Sequence, residues 1–68
     1  MKENELIEEN FRLLEGDGQP VNFSELRSFC RSREHIEPEL VEKWLALQVI
    51  KGVFVTTYIG ASCYIVRK

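Results

Sequence analysis

Between Glu3 and Glu15 the chain alternates apolar and charged residues with a helical period. Leu6, Ile7, Phe11, Leu13 and Leu14 fall on one side at about 100° per residue, and Glu5, Glu8, Glu9, Arg12 and Glu15 fall on the other. The pattern predicts a half-buried amphipathic helix. Gly16, Asp17 and Gly18 tolerate the backbone conformations that end helices, and Pro20 cannot continue one, so this helix is expected to stop near Glu15. Pro20 and Val21 are then expected to form a short edge strand.

Asn22, with Glu25 three residues later, reads as a variant capping box that opens a second helix. Its stripe of Phe23, Leu26, Phe29 and Cys30 is expected to face the core. Arg27 and Arg31 remain outside as an i,i+4 pair, with Arg33 close behind. Residues 32–37 are expected to form a turn. Pro38 is pre-organised for the first position of a third helix, and Ile36 is placed to staple onto Val41.

The third helix carries Leu40, Val41, Trp44, Leu45, Leu47 and Val49 as a wide apolar stripe, with Trp44 expected to be the largest piece of the core. Gln48 lies inside that stripe. It needs a partner for its amide or a last turn that bends away, because an unpaired buried amide costs about 1–3 kcal/mol. Gly52 ends the helix. Residues 53–58 and 63–66 are β-branched and aromatic runs joined by the turn Ile59, Gly60, Ala61, Ser62, the pattern of a hairpin.

Composition narrows the class without naming a function. At 68 residues the chain is expected to form one domain with a small core, since a domain this size hides only about 60% of the surface its unfolded chain exposes. With 44% hydrophobic and 29% charged residues it belongs with ordinary globular proteins rather than disordered tails. It is expected to fold alone with a small margin. No apolar stretch approaches the roughly 18 residues of a membrane span, and the amino terminus is acidic rather than signal-like, so a cytoplasmic location without membrane contact is expected. Cys30 and Cys63 lack the close pairing of a metal knuckle or a redox motif. Both are expected to be buried free thiols, with a disulfide between helix and hairpin as the alternative.

The net charge of −2 hides an asymmetry. Residues 1–20 set Lys2 and Arg12 against Glu3, Glu5, Glu8, Glu9, Glu15 and Asp17, a net of −4. Residues 21–68 set Arg27, Arg31, Arg33, Lys43, Lys51, Arg67 and Lys68 against Glu25, Glu34, Glu37, Glu39 and Glu42, a net of +2. The larger part of the chain is mildly basic, and the first helix is not.

Val41, Trp44, Leu45, Gly52, Val53, Gly60 and Tyr64 give an apolar-spaced third helix, a glycine, a strand, a turn and an aromatic on the return strand. Over residues 20–68 this order resembles the winged helix-turn-helix superfamily, and the first helix supplies the remaining element. In size and order the chain is also similar to the small winged-helix D proteins that accompany dissimilatory sulfite reductase, through core positions. The resemblance implies an α+β fold: a winged helix-turn-helix with a three-helix core and a C-terminal β-hairpin wing. It further implies a non-enzymatic regulatory role, in which the third helix and the wing meet a macromolecule.

In DNA-binding members the exposed face of the third helix enters the major groove. Here that face carries Glu39, Glu42, Lys43, Ala46 and Ile50. Carboxylates accept only from cytosine and are repelled by phosphates, although Glu37, Glu39 and Glu42 also suit the dipole of the first helical turns. No Lys or Arg lies between Lys51 and Arg67, so the wing tip has no basic residue. Two readings stay open. As a protein-interaction module, slightly favoured, the chain would use Glu39, Glu42, Lys43, Ala46, Ile50, Tyr58 and Ile59. As a DNA-binding transcriptional regulator, acting as a homodimer, it would contact phosphates through Arg27, Arg31, Arg33, Lys43, Arg67 and Lys68. Ile50 either joins Ala46 and Ile59 as exposed apolar surface or packs under the hairpin.

Catalysis is not expected. His35 is the single histidine, and no second metal ligand stands at a recognisable spacing from it. Ser28 and Ser32 lie near His35 in sequence, but nothing nearby offers an oxyanion hole, and there is no glycine-rich phosphate loop. No catalytic residue, metal, cofactor or small-molecule substrate is expected.

Overall fold

The elements begin and end where the backbone chemistry requires. A computed structural model describes residues 3–68 as α1 (Glu3–Glu15), β1 (Val21–Asn22), α2 (Phe23–Glu34), α3 (Pro38–Ile50), β2 (Phe54–Ile59) and β3 (Ser62–Arg67). Met1 and Lys2, part of the acidic amino terminus, lie outside the described residues. The Asn22 side chain caps α2 by accepting from the Glu25 N–H at 3.0 Å, which is one half of the expected capping box. Gly52 takes φ 79° and closes α3 in a Schellman motif, with Val53 N–H donating to the Gln48 carbonyl and Gly52 N–H to the Val49 carbonyl.

His35 ends α2 in the left-handed conformation at φ 57°, its N–H donating to the Arg31 carbonyl at 3.0 Å. Glycine is the usual residue for this role. A side chain there carries a steric cost of roughly 1–2 kcal/mol that glycine avoids.

The three helices cover one face of a three-stranded antiparallel sheet of order β1-β3-β2, an arrangement compatible with a winged helix. Val21 pairs with Ile65, so the short strand sits one residue later than expected, and Pro20, without an N–H, stays outside it. Phe54, Ile65 and Val21 are buried, which places residues of the same parity on the helix side of the sheet. Ile7, Phe11, Leu26, Cys30, Ile36, Val41, Trp44 and Leu45 complete the core from the helices. Ile36 and Val41, the expected staple pair, both lie within it.

Two side chains of α1 exchange the roles that periodicity gave them. Leu13, expected on the buried side, is 55% exposed because it stands about 120° from Ile7 around the helix. Glu15, expected in water, is buried and forms a bidentate pair with Arg67, whose Nη2 and Nε donate to its two oxygens at 2.9 and 3.1 Å. The same guanidinium lies 5.1 Å from the Phe54 ring centroid and 5.7 Å from that of Phe11. Its pKa is raised, chiefly by the hydrogen bonds to Glu15. Asn10, also buried, donates from Nδ2 to the Leu6 carbonyl at 2.8 Å, while its Oδ1 finds no donor among the described residues.

Cys30 and Cys63 are free. Cys30 is buried, and desolvation pushes its thiol up to about 11, so it stays protonated at neutral pH. Cys63, expected in the core, is only half-buried because β2 and β3 run on past the helices. No helix of the described residues is long and apolar enough to cross a membrane.

Arg67→Ala should destabilise the domain by about 1–3 kcal/mol and Glu15→Ala by less, since only the first leaves a buried carboxylate unpaired. Urea unfolding of both single variants and the double variant checks this, with coupling between the two sites as the expected sign. His35→Gly should stabilise by about 0.5–1 kcal/mol in the same assay by relieving the left-handed residue.

Candidate functional site

α3 is apolar around much of its circumference, so sequence periodicity alone does not choose its buried side. Tertiary packing chooses Val41, Trp44 and Leu45. Leu40, Leu47 and Val49, expected in the core stripe, are instead 37%, 41% and 40% exposed. A core this small covers one side of a helix and no more. Gln48 is half-buried on the covered side, and its carbonyl accepts the Schellman bond from Val53.

The residues proposed from sequence for partner contact all reach solvent. Glu39, Glu42, Lys43, Ala46 and Ile50 are exposed along the outer side of α3, and Ile50 at 81% does not pack under the hairpin. At about 100° per residue, Leu40, Lys43, Leu47 and Ile50 share about 80° of arc. Leu40, Leu47 and Ile50 therefore form an exposed apolar ridge that passes beside Lys43. Sequence reading found Ile50 and missed the two leucines, because leucine at these positions carries the same signal whether it is covered or not.

Tyr58 and Ile59 are also exposed, Ile59 at 65%, but they stand at the far end of β2. Ile59 lies five residue steps along the strand from Phe54, about 17 Å. The base of the hairpin follows α3, so Ile50 and Ile59 lie towards opposite ends of β2 rather than at one spot.

The basic residues considered for phosphate contact are largely engaged within the fold. Arg27 Nη1 lies 3.3 Å from Glu42 Oε2, Arg27 Nη2 donates to Ser24 Oγ at 3.0 Å, and the guanidinium stacks 4.7 Å from the Phe23 centroid. Arg31 stands 4.0 Å from Glu37, and Arg33 lies over Phe29 at 5.2 Å. Both rings are half-buried: Phe23 packs against the core cluster as expected, whereas Phe29, expected to face the core, lies outside that cluster with Arg33 over its ring. Arg67 is held by Glu15 at the opposite end of the sheet from the hairpin tip. Lys43 and Lys68 are exposed, with no ion pair among the described residues.

Arg27 and Arg31 do come together. With Ser24, Ser28 and Pro38 they line a shallow, open cleft of about 280 Å³ between α2 and the start of α3. Its donors face the first turn of α3, where Glu42 already accepts from Arg27 and Glu37 stands 4.0 Å from Arg31.

Ile50→Glu should leave folding stability within about 0.5 kcal/mol of the parent, because its side chain has little to lose. Trp44→Ala should cost about 3–5 kcal/mol. Thermal unfolding followed by circular dichroism separates the two.

Comparison of the chain with protein-family models, with curated proteins and with solved structures finds no significant match.

Proposed function

We propose that the chain is a non-enzymatic winged-helix module that regulates another protein by binding it through α3, with the wing as a second contact. The observation that supports this reading is the helix whose apolar residues encircle it while the core covers one side. Leu40, Leu47 and Ile50 present an apolar ridge, bordered by Lys43 and by Glu39. A ridge with i, i+7, i+10 spacing suits an apolar groove or a second helix, with the flanking charges setting orientation. Tyr58 and Ile59 at the wing tip suit a separate part of the same partner.

Electrostatics supports the choice. A duplex would meet Glu39 and Glu42 on the face that reads bases in DNA-binding winged helices, and three of the candidate phosphate contacts are already near carboxylates. The cleft that gathers Arg27 and Arg31 beside Ser24 and Ser28 favours the second reading, a DNA-binding transcriptional regulator. Both readings are macromolecular binding without catalysis.

Titration with random duplex DNA at about 50 mM and about 200 mM salt separates them. The protein reading expects weak binding at the lower salt and no loss of several orders of magnitude at the higher. Tight, steeply salt-dependent binding that Arg27→Ala with Arg31→Ala abolishes would establish DNA instead. Affinity capture followed by titration of the purified partner then tests the ridge, and Ile50→Glu should weaken that complex at least tenfold. Undiminished affinity sinks the ridge as the contact.

A further inference from the structure

β2 is the outer strand of the sheet for its whole length, Phe54–Ile59. Natural edge strands are kept from pairing with other chains by lysines, prolines, bulges or short length. β2 has none of these. It is six residues long, pairs with β3 in unbroken register, and lies in an uncharged run that extends from Val53 to Val66. The opposite edge, β1, is only two residues long.

Backbone parity determines what this edge offers. The hairpin closes through a two-residue loop, in which Gly60 alone takes positive φ, at 63°, the requirement of a type II′ turn. The closing pair Ile59 and Ser62 is then a hydrogen-bonded pair, and hydrogen-bonded pairs alternate along an antiparallel ladder. Val55, Thr57 and Ile59 accordingly direct their N–H and C=O groups to β3. Lys68 N–H donates to the Val53 carbonyl at 3.0 Å, which agrees with that parity. Phe54, Thr56 and Tyr58 direct theirs outward, where no backbone group of the described residues meets them.

We propose that β2 pairs antiparallel with β2 of a second copy of this chain, about a two-fold axis at Thr56, to form a continuous six-stranded sheet. Thr56 opposes Thr56 of the second copy, and Phe54 opposes Tyr58 in both directions. Each of these three pairs exchanges two backbone hydrogen bonds, so every outward group of Phe54, Thr56 and Tyr58 is satisfied. A register centred on Thr57 would leave Phe54 without a strand residue opposite it.

A second copy fits better than a foreign strand because the edge is its own complement. The three outward residues are spaced symmetrically about Thr56, threonine is a favourable residue to oppose itself across strands, and no charge repels the copy. On the face away from the helices, Val55 and Val66 of each subunit extend one apolar surface across the axis. A seam of one strand per copy is small beside the roughly 1,600 Å² of a standard interface, so the dimer is expected to be concentration-dependent. The pairing does not rest on the protein-binding reading of α3.

Sedimentation equilibrium of the full chain from about 10 µM to about 1 mM, with amide exchange at both ends of that range, tests the proposal. The expected result is a monomer–dimer equilibrium. Val55, Thr57 and Ile59 amides should be protected throughout, and Phe54, Thr56 and Tyr58 should gain protection at least tenfold as the dimer forms. Thr56→Pro removes an outward N–H that the hairpin does not use, and Thr56→Lys opposes two ammonium groups at the axis. Each should raise the dissociation constant at least tenfold while circular dichroism stays that of the folded parent. Should either variant fail to fold, the exchange pattern of the parent still decides. Ile50→Glu should dimerise like the parent, which separates failure of this pairing from failure of the α3 ridge. A chain that is monomeric across the whole range overturns the proposal. So does a dimer in which the three outward amides stay unprotected.

Discussion

Three aromatic rings hold the parts of this molecule together. Phe11 from α1, Trp44 from α3 and Phe54 from β2 meet with centroids 4.6 to 5.9 Å apart and tilted planes, the geometry in which ring edges and faces attract. Each ring comes from a different element, so the contact sets the first helix, the third helix and the hairpin relative to one another. Arg67 covers two of the rings and is itself fixed by Glu15, which draws the end of β3 back onto the end of α1. The hairpin is thus anchored at its base, and its distal half is left to itself.

The size of that core explains the surface. A chain of 68 residues cannot enclose both sides of a helix. α3 therefore commits Val41, Trp44 and Leu45 to the rings and leaves Leu40, Leu47 and Ile50 in water. β2 commits Phe54 and then leaves the helices behind. The apolar ridge and the bare strand edge are two consequences of one limit. The charged residues follow the opposite course: arginines that could have formed a basic stripe are distributed among Glu15, Glu37 and Glu42.

Much of the architecture was legible because it depends on local backbone chemistry. Gly52, Pro38, Asn22 and the Gly60 turn mark boundaries through φ, capping and missing donors, which act within a few residues. The alternation of β2 and β3 likewise fixed which residues share a face once the turn was known. The candidate site was legible only in part. Glu39, Glu42, Lys43, Ala46 and Ile50 could be placed on the outside of α3 from spacing, whereas Leu40 and Leu47 could not. Leu13 and Glu15 show the same limit in α1, where a leucine stays in water and a glutamate goes inside because a distant arginine meets it.

The sequence by itself determined three helices, a hairpin and most of their ends, because those depend on periods and caps that neighbouring residues supply; α2 runs to Glu34, into the stretch expected to turn. Only the tertiary structure decided which leucines of α3 stay uncovered, that Glu15 and Arg67 are partners across 52 residues of sequence, and that β2 rather than β3 is the open edge. These depend on which surfaces a small core can reach. Spacing along one element carries no record of the element that packs against it.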